Sequence, residues 1–160
     1  MMRKRITTFL LSAIFALSGS TAFASVELDI APPENTSYEE QVVQLVNVER
    51  EKNGLTALYL DRTMSDIART KSQDMSANKY FAHESPTYGN AGNMLRQFGI
   101  NWSSWGENIA YGQDTPEEVV SAWMKSPGHR ANILSNNFSF IGVGYTISNG
   151  TPYWTQLFVR

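Results

Sequence analysis

Apolar positions fall three and four apart through the first half of the chain, and they alternate or run together toward its end. Val42, Val43, Leu45 and Val46 form one helical stripe. Ser37 and Glu40 stand before it at the spacing of a capping box, and Gly54 follows as a stop, so a helix is predicted over 38–53. Asp61 can cap a second helix running to about Asn78, with Met64, Ile67, Ala68 and Met75 on one face and polar residues on the other. A short helix is predicted from Gly92 to Phe98. Thr115-Pro116-Glu117-Glu118 opens another, with Val119, Val120, Trp123 and Met124 as its buried stripe. It must stop before Ser126-Pro127-Gly128, because a residue preceding proline disfavours helical angles, and a further short turn carries His129 to Leu134.

Strand patterns occupy Trp105–Tyr111, Phe138–Ile147 and Tyr153–Val159, the last two joined as a hairpin around Asn149-Gly150. Gly142 and Gly144 thin one face of the hairpin, as expected where another backbone or side chain, such as a site loop, comes close. Helices, a strand, a helix and then a hairpin imply an α+β fold in which helices cover an antiparallel sheet. No period of 20 to 50 residues points to a repeat architecture.

The first 24 residues break this pattern. Arg3, Lys4 and Arg5, an apolar run from Phe9 to Leu17 and the small-residue ending Ala22-Phe23-Ala24 read as a cleaved secretory signal peptide. The run is too short for a membrane span, so no integral membrane segment is expected after cleavage. Residues 25–36, with Pro32 and Pro33, read as an extended leader, and 37–160 as one domain. Cleavage removes three of the 13 basic residues and none of the 15 acidic ones, moving the net charge from −2 to −5. Such a surface has no basic cluster to neutralise phosphates, which argues against nucleic acid or an anionic membrane as partner. The chain has no cysteine, so an exported domain of this size must be held by its core alone.

The candidate chemistry is sparse. The chain has two histidines: His83 in Phe81-Ala82-His83-Glu84-Ser85-Pro86, and His129 in Ser126-Pro127-Gly128-His129-Arg130. Glu107 lies between them in Trp105-Gly106-Glu107-Asn108-Ile109-Ala110. Brought together, two imidazoles and a carboxylate suit a divalent cation, or proton transfer near neutral pH. The alternative is structural: hydrogen-bonded histidines tying loops to the sheet, and a buried Glu107 capping backbone amides. A start of a helix near His129 would favour its neutral ring. Asn108 and Asn132 offer amides that lock loops, and Glu49-Arg50 reads as a surface or inter-helix ion pair. Trp105, Trp123, Tyr153 and Trp154 read as core by their spacing, whereas an exposed subset with Tyr88, Trp102 or Tyr111 would line a groove for glycan, lipid or peptide.

Six blocks together resemble the CAP superfamily of cysteine-rich secretory, antigen 5 and pathogenesis-related 1 proteins, in its bacterial SCP-like branch. They are Asn47-Val48-Glu49-Arg50, the two segments around His83 and Glu107, the run from Trp123 through His129 to Leu134, Ile141-Gly142-Val143-Gly144 and Tyr153-Trp154-Thr155-Gln156. The resemblance covers about Tyr38 to Phe158. It implies a three-layer α-β-α sandwich with an antiparallel sheet between helices, and an open cleft holding two histidines and two acids. Matched by motif, these are His83, His129 and Glu107, with Zn²⁺ or another divalent cation as the implied cofactor. The second acid has no counterpart, since Lys125 and Ser126 occupy its stretch, and Glu84 is only a positional stand-in. Glu84, Asn108 and Asn132 are therefore expected as cleft support. The function so implied is that of a secreted, monomeric protein, extracellular or in the cell wall, binding a lipid, a cell-wall component such as a glycan, or another protein. A hydrolase using His83, Glu107 and His129 is the alternative, and a structural wall or coat component the second. No nucleophile elbow, H-E-x-x-H helix or cysteine supports hydrolysis.

Overall fold

The computed structural model describes residues 36–160. The signal-peptide expectation and all but the last residue of the leader fall outside the described residues. Helix α1 (Tyr38–Lys52) begins at the expected capping box, in which the Ser37 hydroxyl accepts from the Glu40 amide and the Glu40 carboxylate accepts from the Ser37 amide. Strand β1 (Tyr59–Leu60), two residues long, has no periodicity to betray it and was not expected. Helix α2 (Arg62–Ala77) is capped by Asp61, which accepts from the Met64 amide. Helix α3 (Ala91–Gln97) and strand β2 (Trp105–Tyr111) follow. Helix α4 (Pro116–Lys125) has Thr115 as cap, and helix α5 (Pro127–Ile133) starts at Pro127, two residues earlier than the sequence suggested. Proline pre-sets the first helical position and lacks a donor that would go unused there.

Strands β3 (Phe140–Ser148) and β4 (Thr151–Val159) form the expected hairpin. Its two-residue turn has φ of 49° at Asn149 and 77° at Gly150, both in the left-handed region that such a turn demands. The sheet order is β1-β3-β4-β2, antiparallel except that β1 runs parallel to β3. Strand β2 is thus an edge, paired to β4 alone.

Helices cover both faces. Met64, Ile67 and Ala68 of α2 and Ala91, Met94 and Leu95 of α3 pack with Leu157 and Val159. On the other face, Val42, Val43 and Val46 of α1, Val119, Val120 and Trp123 of α4 and Ile133 of α5 pack with Ile141, Val143, Trp154 and Phe158. This is the three-layer sandwich. Trp154 and Trp123 are wholly buried, as their spacing predicted.

The thin face of β3 does lie against another backbone, as expected. A Cβ on Gly142 would overlap the backbone of α2 at Met64, and one on Gly144 would overlap it at Ala68 and Arg69. The glycines admit the backbone of α2 rather than a site loop, which sets α2 directly on the sheet. Ser65 and Ser72 use this proximity: the Ser65 hydroxyl accepts from the Val143 amide, and Ser72 donates to the Gly144 carbonyl.

Arg50 is not a surface ion pair. It is 2% exposed, and its guanidinium donates to the carbonyls of Thr56, Ile133 and Ser135 at 2.7–2.8 Å. It therefore ties α1 to the C-terminal end of α5, where backbone carbonyls lack intrahelical donors. Glu49 pairs with Lys52 instead.

Candidate functional site

Side chains alternate along a strand, so neighbouring residues of β2 serve opposite layers. Glu107 pairs in register with Leu157 and faces the α2 layer; Asn108 pairs with Gln156 and faces the α5 layer. The carboxylate of Glu107 is 2% exposed, and its Oε1 lies 2.6 Å from Nδ1 of His83. The His83 side chain is 60% exposed. A buried carboxylate thus holds an imidazole at the surface by one ring nitrogen and leaves Nε2 free. Oε2 of Glu107 is buried without a hydrogen-bond partner.

The two imidazoles titrate in opposite directions. The hydrogen bond to Glu107 raises the pKa of His83 against the pull of burial, and the negative charge of Glu107 adds to the rise. Burial lowers that of His129, and repulsion from His83 lowers it further. The expected lowering of His129 is present, with burial as its largest cause. The charge of His83 is thus felt at His129, although the two residues come from segments on opposite faces of β2. Near pH 6.5, the ordinary histidine value, protonation is favoured at His83 and disfavoured at His129. Environments that push two titrating groups apart create an acid and a base at one pH.

Asn108 and Asn132 fasten the α5 side. The Asn108 amide donates to the His129 carbonyl at 3.1 Å and to Gln156 Oε1 at 3.0 Å, while its own oxygen accepts from Asn132 at 2.9 Å. Asn132 also donates to the Glu107 carbonyl at 3.0 Å. One amide pair thereby fixes the backbone at both Glu107 and His129. Glu84 is exposed and forms no hydrogen bond or ion pair among the described residues; its charge reaches the site only by opposing the lowered pKa of Lys71.

Beneath His83 lies a polar network that the sequence analysis did not single out. Lys71 of α2 is 1% exposed and donates to the His83 carbonyl at 3.0 Å and to the Tyr80 hydroxyl at 3.2 Å. Burial lowers its pKa, opposed by the charges of Glu107, Asp74 and Glu84. Asp74 accepts from Tyr80, from Ser85 at 2.7 Å, from Thr87 at 2.9 Å and from Asn78 at 2.7 Å. Burial alone would raise the Asp74 pKa, but these four bonds to the charged form outweigh it and lower the value. Burial and the bond to Asp74 raise that of Tyr80. Both α2 residues anchor the loop that presents His83. The available signal was Lys71 sitting one turn beyond Ile67 and Ala68, a charge on an apolar stripe.

As a metal centre the donor set falls short. Glu107 Oε1 is hydrogen-bonded to His83, and among the described residues no three His, Asp or Glu side chains form a group that could hold a metal. Two imidazoles remain, against the three protein ligands usual for catalytic zinc.

Comparison with known proteins gives the same architecture. Residues 43–158 match the family model described as "CAP: Cysteine-rich secretory protein family". The chain is 55% identical over 129 residues to Bacillus subtilis YkwD, covering 81% of this chain and 49% of that protein. It is 35% identical over 125 residues to the B. subtilis membrane protein YlbC, covering 78% of this chain and 35% of the relative. The chain thus spans half or less of these relatives. Among solved structures, an extracellular SCP-domain protein from Bacillus anthracis superposes with a TM-score of 0.72 at 34% identity, over 77% of this chain and 40% of that one. An outer surface protein of Borrelia burgdorferi shares the fold, with a TM-score of 0.71 at 19% identity over 78% of this chain and 96% of its own. Motifs, layers and matches agree: the chain belongs to the cysteine-rich secretory protein (CAP) family.

Proposed function

We propose that this chain is a secreted, monomeric CAP-domain protein of the extracellular space or cell wall that acts by binding a ligand with an acidic or hydrogen-bonding group at the His83–Glu107–His129 cleft. The observation that carries the reading is the 2.6 Å contact between a buried carboxylate and an exposed imidazole. It favours a protonated imidazole at the surface, whereas His129 favours its neutral form, which can donate or accept. Among the described residues no helix is long and apolar enough to cross a membrane. Zn²⁺ or another divalent cation would find the free Nε2 of His83 and His129 as donors, with Glu107 orienting His83.

A hydrolase is the second reading, because a carboxylate bonded to Nδ1 is also the orienting half of a histidine general base. Among the described residues, however, no hydroxyl is hydrogen-bonded to either imidazole ring. Purified protein, His83→Ala and His129→Ala are compared for retention on isolated cell-wall material and for turnover of peptide and ester substrates. Retention lost in both variants without turnover in the parent supports the binder. Turnover abolished by the same changes supports the hydrolase. Retention equal in all three proteins removes the cleft as the binding site, and recovery of the parent only with insoluble wall material supports a coat component.

A further inference from the structure

Four residues beyond Glu107 on the same face of β2, about 13 Å at a strand's rise, Tyr111 begins a row of outward-facing rings. Phe81 meets Tyr111 edge-on with centroids 4.7 Å apart, and Tyr111 lies 6.0 Å from Tyr153 with the two planes 25° apart. Tyr111 is 52% exposed and Phe81 45%. With Lys79, Ser76, Ser148, Asn149 and Thr151 they line one open groove. The groove thus combines three aromatic rings with hydrogen-bonding groups.

The backbone marks the same place. Among the described residues, the two non-glycine residues with positive φ are Lys79 (55°) and Asn149 (49°), and both line this groove. Asn149 is ordinary in its hairpin turn, but Lys79 is not. It follows the last turn of α2, where the Tyr80 amide donates back to the Met75 carbonyl, a position that favours glycine. A lysine there accepts backbone strain; Lys79 is exposed, lines the groove and makes no hydrogen bond or ion pair among the described residues. Strain retained in this way is a mark of functional surfaces.

Rings that stack, hydroxyls and an amide that bond laterally, and one cation fit pyranose rings with a carboxylate. An acyl chain would leave the polar fringe desolvated and unpaired. We propose that the Phe81–Tyr111–Tyr153 groove binds an acidic glycan strand, the rings stacking on sugar faces and Lys79 meeting a carboxylate. The site takes the chain as an extracellular binder but uses neither His83 nor His129, so either reading can fail alone.

The test follows the ring NMR signals of Phe81, Tyr111 and Tyr153 in the purified protein. One titrant is a peptide-free oligomer of alternating N-acetylglucosamine and N-acetylmuramic acid; the other is chitohexaose, its counterpart without carboxylates. Both should move these signals, the acidic oligomer binding about three-fold tighter, the size of an exposed ion pair. Tyr111→Ala should weaken both by about ten-fold or more, as loss of a stacking ring does. Lys79→Gly should abolish the preference for the acid while melting at or above the parent's temperature, because glycine relieves the positive φ. That rise separates lost recognition from lost folding. Ring signals unmoved by either oligomer, shifts confined to His83 and His129, or an acid preference that survives in Lys79→Gly would each overturn the proposal.

Discussion

Glu107 decides the character of His83. Its Oε1 supplies the hydrogen bond that raises the imidazole pKa, while Lys71 lowers it through charge. Replacing Glu107 by Gln keeps the shape and removes the charge. The His83 pKa should then fall toward or below the ordinary value, while that of His129, set first by burial, should move little. Ring-nitrogen NMR titrations of both histidines in the parent and in Glu107→Gln check this. A His83 value unchanged by the substitution would show that the contact does not govern its proton. At this scale the sequence exposed the residues but not their roles. Two histidines and one flanked glutamate are visible in a line of letters, whereas which oxygen meets which nitrogen depends on the register of β2 against β4.

Elements with strong local signals were legible almost to the residue. Ser37, Asp61 and Thr115 cap where expected, Asn149-Gly150 makes the hairpin, and β2 matches its predicted span. What escaped were features with long-range causes. Strand β1 exists because Tyr59 and Leu60 find β3 some eighty positions away, and Arg50 is buried because α5 ends beside it. Both kinds of contact can be weighed by substitution. Arg50→Ala strips a donor from three carbonyls and should cost about 3 kcal/mol, read from urea unfolding. Gly144→Ala drives a methyl into the backbone of α2 at Arg69 and should cost about 3 kcal/mol or prevent folding, by the same measurement. A Gly144→Ala protein of parental stability would mean that α2 sits less tightly on the sheet than described.

Across the whole molecule the two histidines pull stability in opposite directions with pH. His83 binds its proton more tightly when folded, so its contribution is full below about pH 6.5 and fades as pH rises through its raised folded value. His129 binds its proton less tightly when folded, so its effect is a loss of stability as pH falls from about 6.5 toward its lowered folded value. Melting temperatures between about pH 5 and 8 should therefore change shape in opposite senses in His83→Gln and His129→Gln. Parallel changes would contradict the assignment. The edge strand beneath them makes one further demand. Because Glu107 and Asn108 point to opposite layers, sliding β2 along β4 by a single residue would in one direction give His83 an amide and the His129 carbonyl only Ile109, and in the other leave His83 facing Gly106 and turn the Glu107 carboxylate to the His129 carbonyl. Chemistry and pairing therefore check each other: a misregistered chain would leave the His129 carbonyl either without a donor or facing a negative charge, so a molecule that folds stably is also one whose site is correctly assembled.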